Sequence, residues 1–234
     1  MDGDGFDLIS QEQLKQASQY YKDKMLVTAQ FFTGLISSKR SEMIQSVGHA
    51  IQGMFSGKFL ETLEKEFKYY IDAGKIKDDY IKSDQNLMCF IELLRSLEQD
   101  LPDPSRLELL KKIYIVTATE DKSSRESPLP LQFMQMAKEL TSGEILVLFA
   151  AYNLEGISVS SQSEFIIKLI TKSGLEYAEI VTKVHQSLFE KNYLKSVRTE
   201  AILNPILIRD LFTPLGRAFC DYVVHYDIIE QSAK

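Results

Sequence analysis

Between residues 141 and 176 three Ser/Thr–x–x–Glu pairs stand close together: Thr141/Glu144, Ser161/Glu164 and Ser173/Glu176. In such a pair the hydroxyl accepts the N–H three residues on, and the Glu reaches back to the N–H of the capping residue. Each pair is therefore a helix start. The first predicts a helix over 142–153 with Ile145, Leu148, Phe149 and Tyr152 on its buried face. The second predicts one from 161 to the stop at Ser173-Gly174, carrying Phe165, Ile166, Leu169 and Ile170 inward. The third predicts one with Tyr177, Ile180, Val181, Val184 and Leu188 inward. After Asn192 the pattern changes to two β-like runs, Tyr193–Arg198 and Ile206–Phe212, expected to pair across a tip at 199–205. Thr213-Pro214 then opens a last helix, since Pro suits the first helical position, where its missing N–H is no loss. Ala218, Phe219, Tyr222 and Val223 are its expected inner face.

Leu140-Thr141-x-x-Glu144, Phe189-Glu190-Lys191-Asn192-Tyr193-Leu194 and Phe212-Thr213-Pro214-Leu215-Gly216-Arg217 lie in an order that resembles the winged-helix superfamily, with the layout of MarR-type regulators. The resemblance covers residues 140–225. The helix exit in that family often reads Leu-x-x-x-Gly-Leu-Ile; here Asn192 replaces the Gly and tolerates the same left-handed backbone. The resemblance implies a winged-helix-like module with a small two-stranded wing, a third helix used for recognition and DNA as the usual partner.

Upstream, the chain reads as helical. Ser10/Gln13 opens a helix running toward Ser37, and Ser41 opens a second with Gly48, Gly53 and Gly57 along it. A third, Phe59 to about Asp72, is amphipathic and stops at Gly74 as a left-handed residue. Asp84–Asp100 carries Leu87, Phe90, Ile91, Leu94 and Leu97 on one stripe. Leu101-Pro102-Asp103-Pro104 breaks it, because each Pro disfavours helix at the residue before it. Helix resumes at a Ser105/Glu108 capping box, forming an antiparallel hairpin with its predecessor. Residues 120–128 read as an exposed loop and 129–140 as a connecting helix. The expected architecture is mainly α: a helical domain over 1–139, with a disordered tail at 1–9, then the winged-helix-like domain over 140–234.

Charge turns the functional expectation away from DNA. The chain carries 27 Lys and Arg against 33 Asp and Glu, a formal −6. The third helix, 176–190, has one Lys against three Glu. Favourable DNA binding needs several basic contacts to phosphates and Arg, Lys, Asn or Gln at base edges. The outward positions Glu176, Glu179, Lys183 and Gln186, with Lys195 and Arg198 of the wing, form the candidate interaction surface. Its two leading residues are carboxylates. The expectation is protein contact or self-association, as a homodimer, with a DNA-binding transcriptional regulator as the alternative.

The three histidines, His49, His185 and His225, form no ligand-spaced cluster, and no HExxH, GxSxG, P-loop or GxGxxG occurs. No catalytic, metal or cofactor site is expected, and the protein is read as a non-enzyme. Cys89 and Cys220 sit in apolar helical runs and read as small buried hydrophobes of a reducing cytoplasm. The uncharged runs Met25–Ser38 and Met43–Gly57 fall short of the roughly 18 residues of a membrane span. No stable membrane insertion is expected. Peripheral attachment through Met43–Phe59 is a third reading, disfavoured because its polar face lacks cations.

Overall fold

In a computed structural model of the chain, residues 54–81, 83–97, 103–121, 127–195 and 205–233 are described. The first expected helix, the second as far as Gly53, and the tail at 1–9 lie outside them; the end of the second, Met54 to Gly57, is continuous with the helix expected from Phe59. Among the described residues the chain is mainly helical with one small antiparallel sheet. It divides into two compact units: the described part of Met1–Pro102 with Thr117–Leu131, and Asp103–Val116 with Gln132–Lys234. The division differs from a single boundary at 139, because most of the helix after Pro104 falls in the second unit.

In the first unit, α1 (Met54–Asp72) buries Leu60, Leu63, Phe67 and Tyr70 at helical spacing. Its outer face carries the Lys65–Glu61 and Lys68–Glu64 pairs at 2.8 and 2.5 Å, one turn apart. It ends as expected at Gly74, φ 67°. The N–H of Gly74 reaches the Ile71 carbonyl and that of Lys75 the Tyr70 carbonyl, both at 2.9 Å, a Schellman closure with Ile76 buried beside it. A short α2 (Asp78–Ile81) leads to α3 (Asp84–Leu97), where the Ser83 hydroxyl accepts the Asn86 N–H at 3.1 Å. Beyond the expected Phe90, Ile91, Leu94 and Leu97, α3 also buries Cys89 and Leu93.

The second unit begins with α4 (Pro104–Thr119), of which it holds the part up to Val116. The cap of α4 is Asp103, not Ser105. The Asp103 Oδ1 accepts the Ser105 and Arg106 N–H groups at 2.9 and 3.3 Å, and Pro104 takes the first helical position. A Pro fixed at helical φ moves the cap two residues ahead of the expected box. α5 (Leu129–Glu139) leads to α6 (Ser142–Tyr152), whose capping box forms in full. Thr141 accepts the Glu144 N–H at 3.3 Å, and Glu144 Oε2 accepts the Thr141 N–H at 2.7 Å. α6 is the centre of the unit. It packs against α7 (Gln162–Ser173), α8 (Ala178–Glu190), the 3-10 turn Ile208–Leu211 and α9 (Pro214–Ala233).

The second cap forms in half: Ser161 accepts the Glu164 N–H at 3.1 Å, but Glu164 Oε2 takes the Ser160 N–H instead. The third does not form. Ser173 is the last residue of α7 and therefore has helical backbone, whereas a capping residue must be extended. Its hydroxyl takes only the Leu175 N–H, at 3.4 Å. Gly174 stops α7 at φ 74°, and α8 starts at Ala178 with Tyr177 as an N-cap that makes no side-chain bond.

The sheet also departs from expectation. β2 (Ile206–Leu207) pairs with β1 (Ser158–Val159), in the register Ser158↔Leu207 and Val159↔Ile206. The run expected as one strand, 206–212, breaks into β2 and the 3-10 turn. Residues 193–198 contribute a single antiparallel bridge, Leu194↔Phe212, within the described part; 196–204, most of the wing, lie outside it. Thr213 caps α9 as expected, accepting the Gly216 N–H at 2.9 Å. Phe219 and Val223 are buried, but Ala218 is exposed, and Cys220, Tyr226 and Ile229 complete the inner face. Phe133, Tyr193, Phe219 and Tyr222 interlock in this core, with ring centres 5.1–5.6 Å apart.

Candidate interaction surface

α8 positions the surface because its inner face is fixed. Val181, His185 and Leu188 are buried at i, i+4 and i+7. Glu179, Lys183 and Gln186 fall on the opposite face at the same spacing and are exposed, with exposed Glu176 just before the helix. These four of the expected surface residues lie together. Lys195 is exposed, with its Nζ bonded to the Asp210 carbonyl at 2.9 Å. Arg198 lies outside the described residues.

The inner anchor is a buried carboxylate. Glu144 is 3% exposed, and beyond its cap bonds it accepts the Ser187 hydroxyl at 2.5 Å and the Lys191 ammonium at 2.7–2.8 Å. Burial would raise its pKa, but the bonds from Lys191, Ser187 and Thr141 prevail and hold it below the usual carboxylate range. The network ties the end of α8 to the start of α6. It also takes Lys191 out of the basic surface: its Nζ additionally bonds the Glu139 carbonyl at 2.7 Å. Lys183 is then the one basic residue within α8 itself. Gln186 is likewise engaged, with Glu190 at 2.9 Å.

Two residues expected inside are outside. Tyr177 is 62% and Ile180 47% exposed. Tyr177 precedes α8 as its N-cap, and the stripe that packs inward is Val181, His185 and Leu188, which leaves Ile180 outside it. Tyr177 and Ile180 give the outer side of α8 an apolar character that charge counting misses. Between α7 and α8 runs a groove of about 390 Å³, with Ser161, Gln162 and Ser163 at one end and Ile166, Ile167, Ile170, Ala178 and Thr182 along the rest. A second cleft of about 390 Å³ lies among α4, α6 and α9, floored by Leu109, Ile145, Phe149 and Val223. Its Lys112 and Asp227 pair with one another at 2.9 Å.

Reactive groups in the unit are subdued. His185 is buried with its ring edge-on to Phe165 at 5.4 Å, and its Nε2 has no hydrogen-bond partner. Burial lowers its pKa. Burial pushes the Cys220 thiol up, and in the first unit burial, with Glu92 nearby, raises Cys89 to about 12. Among the described residues no group of three or more His, Cys, Asp or Glu is placed to hold a metal, and no helix is long and apolar enough to cross a membrane. Comparison with protein-family models, with curated proteins and with solved structures found no match to this chain.

Proposed function

We propose that the chain acts without catalysis, through macromolecular contact, and that its second unit is a winged-helix-like module used for protein contact or self-association. The carrying observation is the outer side of α8, where Tyr177 and Ile180 stand exposed beside Glu176 and Glu179, with Lys183 the helix's one basic residue. Protein interfaces favour exposed aromatic and aliphatic groups. A phosphate backbone would meet two carboxylates at the leading end of this helix.

The order α6–β1–α7–α8–β2–α9, with β1 antiparallel to β2 and Leu194 bridged to Phe212, supports the winged-helix-like layout. That order also favours DNA binding as the second reading, since fold analogy points there while the local charge opposes it. An electrophoretic shift assay at low salt separates the two. The expected result is no saturable shift of duplex DNA at micromolar protein. Salt-sensitive, saturable binding that Lys183→Ala weakens would establish the DNA reading instead.

A further inference from the structure

We infer that a second copy of this chain docks on the outer face of α9, the two helices running antiparallel about a two-fold axis level with Val223. The inference rests on the self-association half of the reading above and gives it a surface.

α9 has two faces. Phe219, Cys220, Val223, Tyr226 and Ile229 pack into the core of the second unit. The opposite face is a stripe of six residues, Pro214, Ala218, Asp221, His225, Ile228 and Ser232, each of them exposed. They follow one another at alternating steps of four and three. That spacing keeps one stripe of a helix against a partner helix along its whole length. The stripe runs for about 27 Å. It holds one carboxylate and no Lys or Arg, and Ile228 in its second half is 58% exposed.

The symmetry of the stripe selects the occupant. Residues 214 and 232, 218 and 228, and 221 and 225 are equidistant from position 223. A two-fold axis there sets each residue against its counterpart in the other copy, the isologous arrangement in which i meets j and j meets i. The resulting pairs are complementary. Ala218, a single methyl, leaves room for the Ile228 side chain of the other copy. Asp221 is held at the edge of the seam: its Oδ1 accepts the Tyr152 hydroxyl at 2.6 Å, and its Oδ2 lies 3.6 Å from Arg217 Nε. A carboxylate has acceptor sites beyond these, and an imidazole N–H of His225 from the other copy fills one. His225 makes no hydrogen bond or ion pair with the described residues of its own chain. Ser232 gives its hydroxyl to the Ile229 carbonyl at 2.9 Å, so the hydroxyl proton needs no acceptor from the other copy. A parallel pairing in register would instead set Asp221 on Asp221 and Ala218 on Ala218, a like-charge contact beside a void.

Sedimentation equilibrium of the full chain at tens of micromolar should give a dimer. Ile228→Glu, which brings a carboxylate to Ala218 of the other copy, should weaken it at least ten-fold. His225→Asp, which opposes Asp221, should do the same. Both positions are exposed, so thermal melts of the two variants at submicromolar protein should match the parent. Orientation is read by oxidising single-cysteine variants, since a disulfide needs Cα atoms within about 7 Å. In the antiparallel pair the two copies of position 218 lie about 15 Å apart along the axis. Ala218→Cys alone and Ile228→Cys alone should therefore give no disulfide dimer beyond that of the parent, and an equimolar mixture of the two should. Cross-linking of either variant with itself overturns the inference. A dimer unmoved by Ile228→Glu and His225→Asp also overturns it, and leaves self-association through another surface. A monomer overturns both this inference and self-association, and leaves contact with a foreign protein.

Discussion

Glu144 is the residue on which the second unit turns. One carboxylate closes the cap of α6 and holds Ser187 and Lys191 of the α8 end. Replacing it by Gln leaves the half-buried Lys191 ammonium without its counter-charge, and should cost about 2 kcal/mol in urea unfolding. Its pKa is lowered in the folded state, so its contribution is complete above the unfolded carboxylate pKa and is lost as pH falls through the folded value. His185 acts at higher pH. Burial lowers its pKa, so the folded state holds it neutral while the unfolded chain takes up a proton. Stability should therefore fall as pH drops below the unfolded imidazole pKa, about 6.5. Thermal melts of His185→Phe should decline less between about pH 7 and 5 than those of the parent, because Phe keeps the ring against Phe165 and binds no proton. Parallel slopes for the two proteins would show that His185 does not carry the effect. The capping role of Glu144 was legible in the sequence; its partners on α8 were not, being 43 and 47 residues away.

At the level of elements, three similar sequence pairs had three different fates, and mutation should reproduce the ranking. Thr141→Ala removes a complete capping box and should cost about 1 kcal/mol. Ser173→Ala removes no cap, and a change within about 0.5 kcal/mol is expected. Equal losses at the two positions would contradict the assignment of α8's start. The junction of α8 and α9 is more sensitive. Asn192, φ 62°, and Tyr193 close α8 with the N–H of Tyr193 on the Leu188 carbonyl at 2.9 Å. Thr213 then donates to the Asn192 carbonyl at 2.6 Å while capping α9. Gly216 sits so close that an added Cβ would lie 2.1 Å from the Tyr193 carbonyl oxygen. Gly216→Ala must push backbone apart and should cost about 3 kcal/mol, read from the urea midpoint. The sequence placed Thr213 as a cap through its Pro neighbour, and Asn192 as a left-handed residue. It gave no sign of the close approach at Gly216, which depends on a chain segment more than twenty residues earlier.

For the whole molecule, the proposed mode of action predicts assembly. Light scattering at tens of micromolar should return a dimer mass, and a monomer mass would remove self-association while leaving a foreign protein partner. What the sequence alone determined is local: mainly helical elements, their stops at Gly74, Gly174 and Asn192, the caps at Thr141, Ser161 and Thr213, and the acidic outer face of the third helix in the C-terminal unit. Each follows from hydrogen bonds or backbone preferences acting within a few residues. Tertiary structure decided the rest. It gave β2 its partner β1, nearly fifty residues away in the chain. It assigned most of α4 to the second unit and started α8 four residues after Gly174. That start left Tyr177 outside α8 as its N-cap; Ile180 falls outside the buried stripe because that stripe is chosen by what α6 and α7 present to α8 and not by its own periodicity.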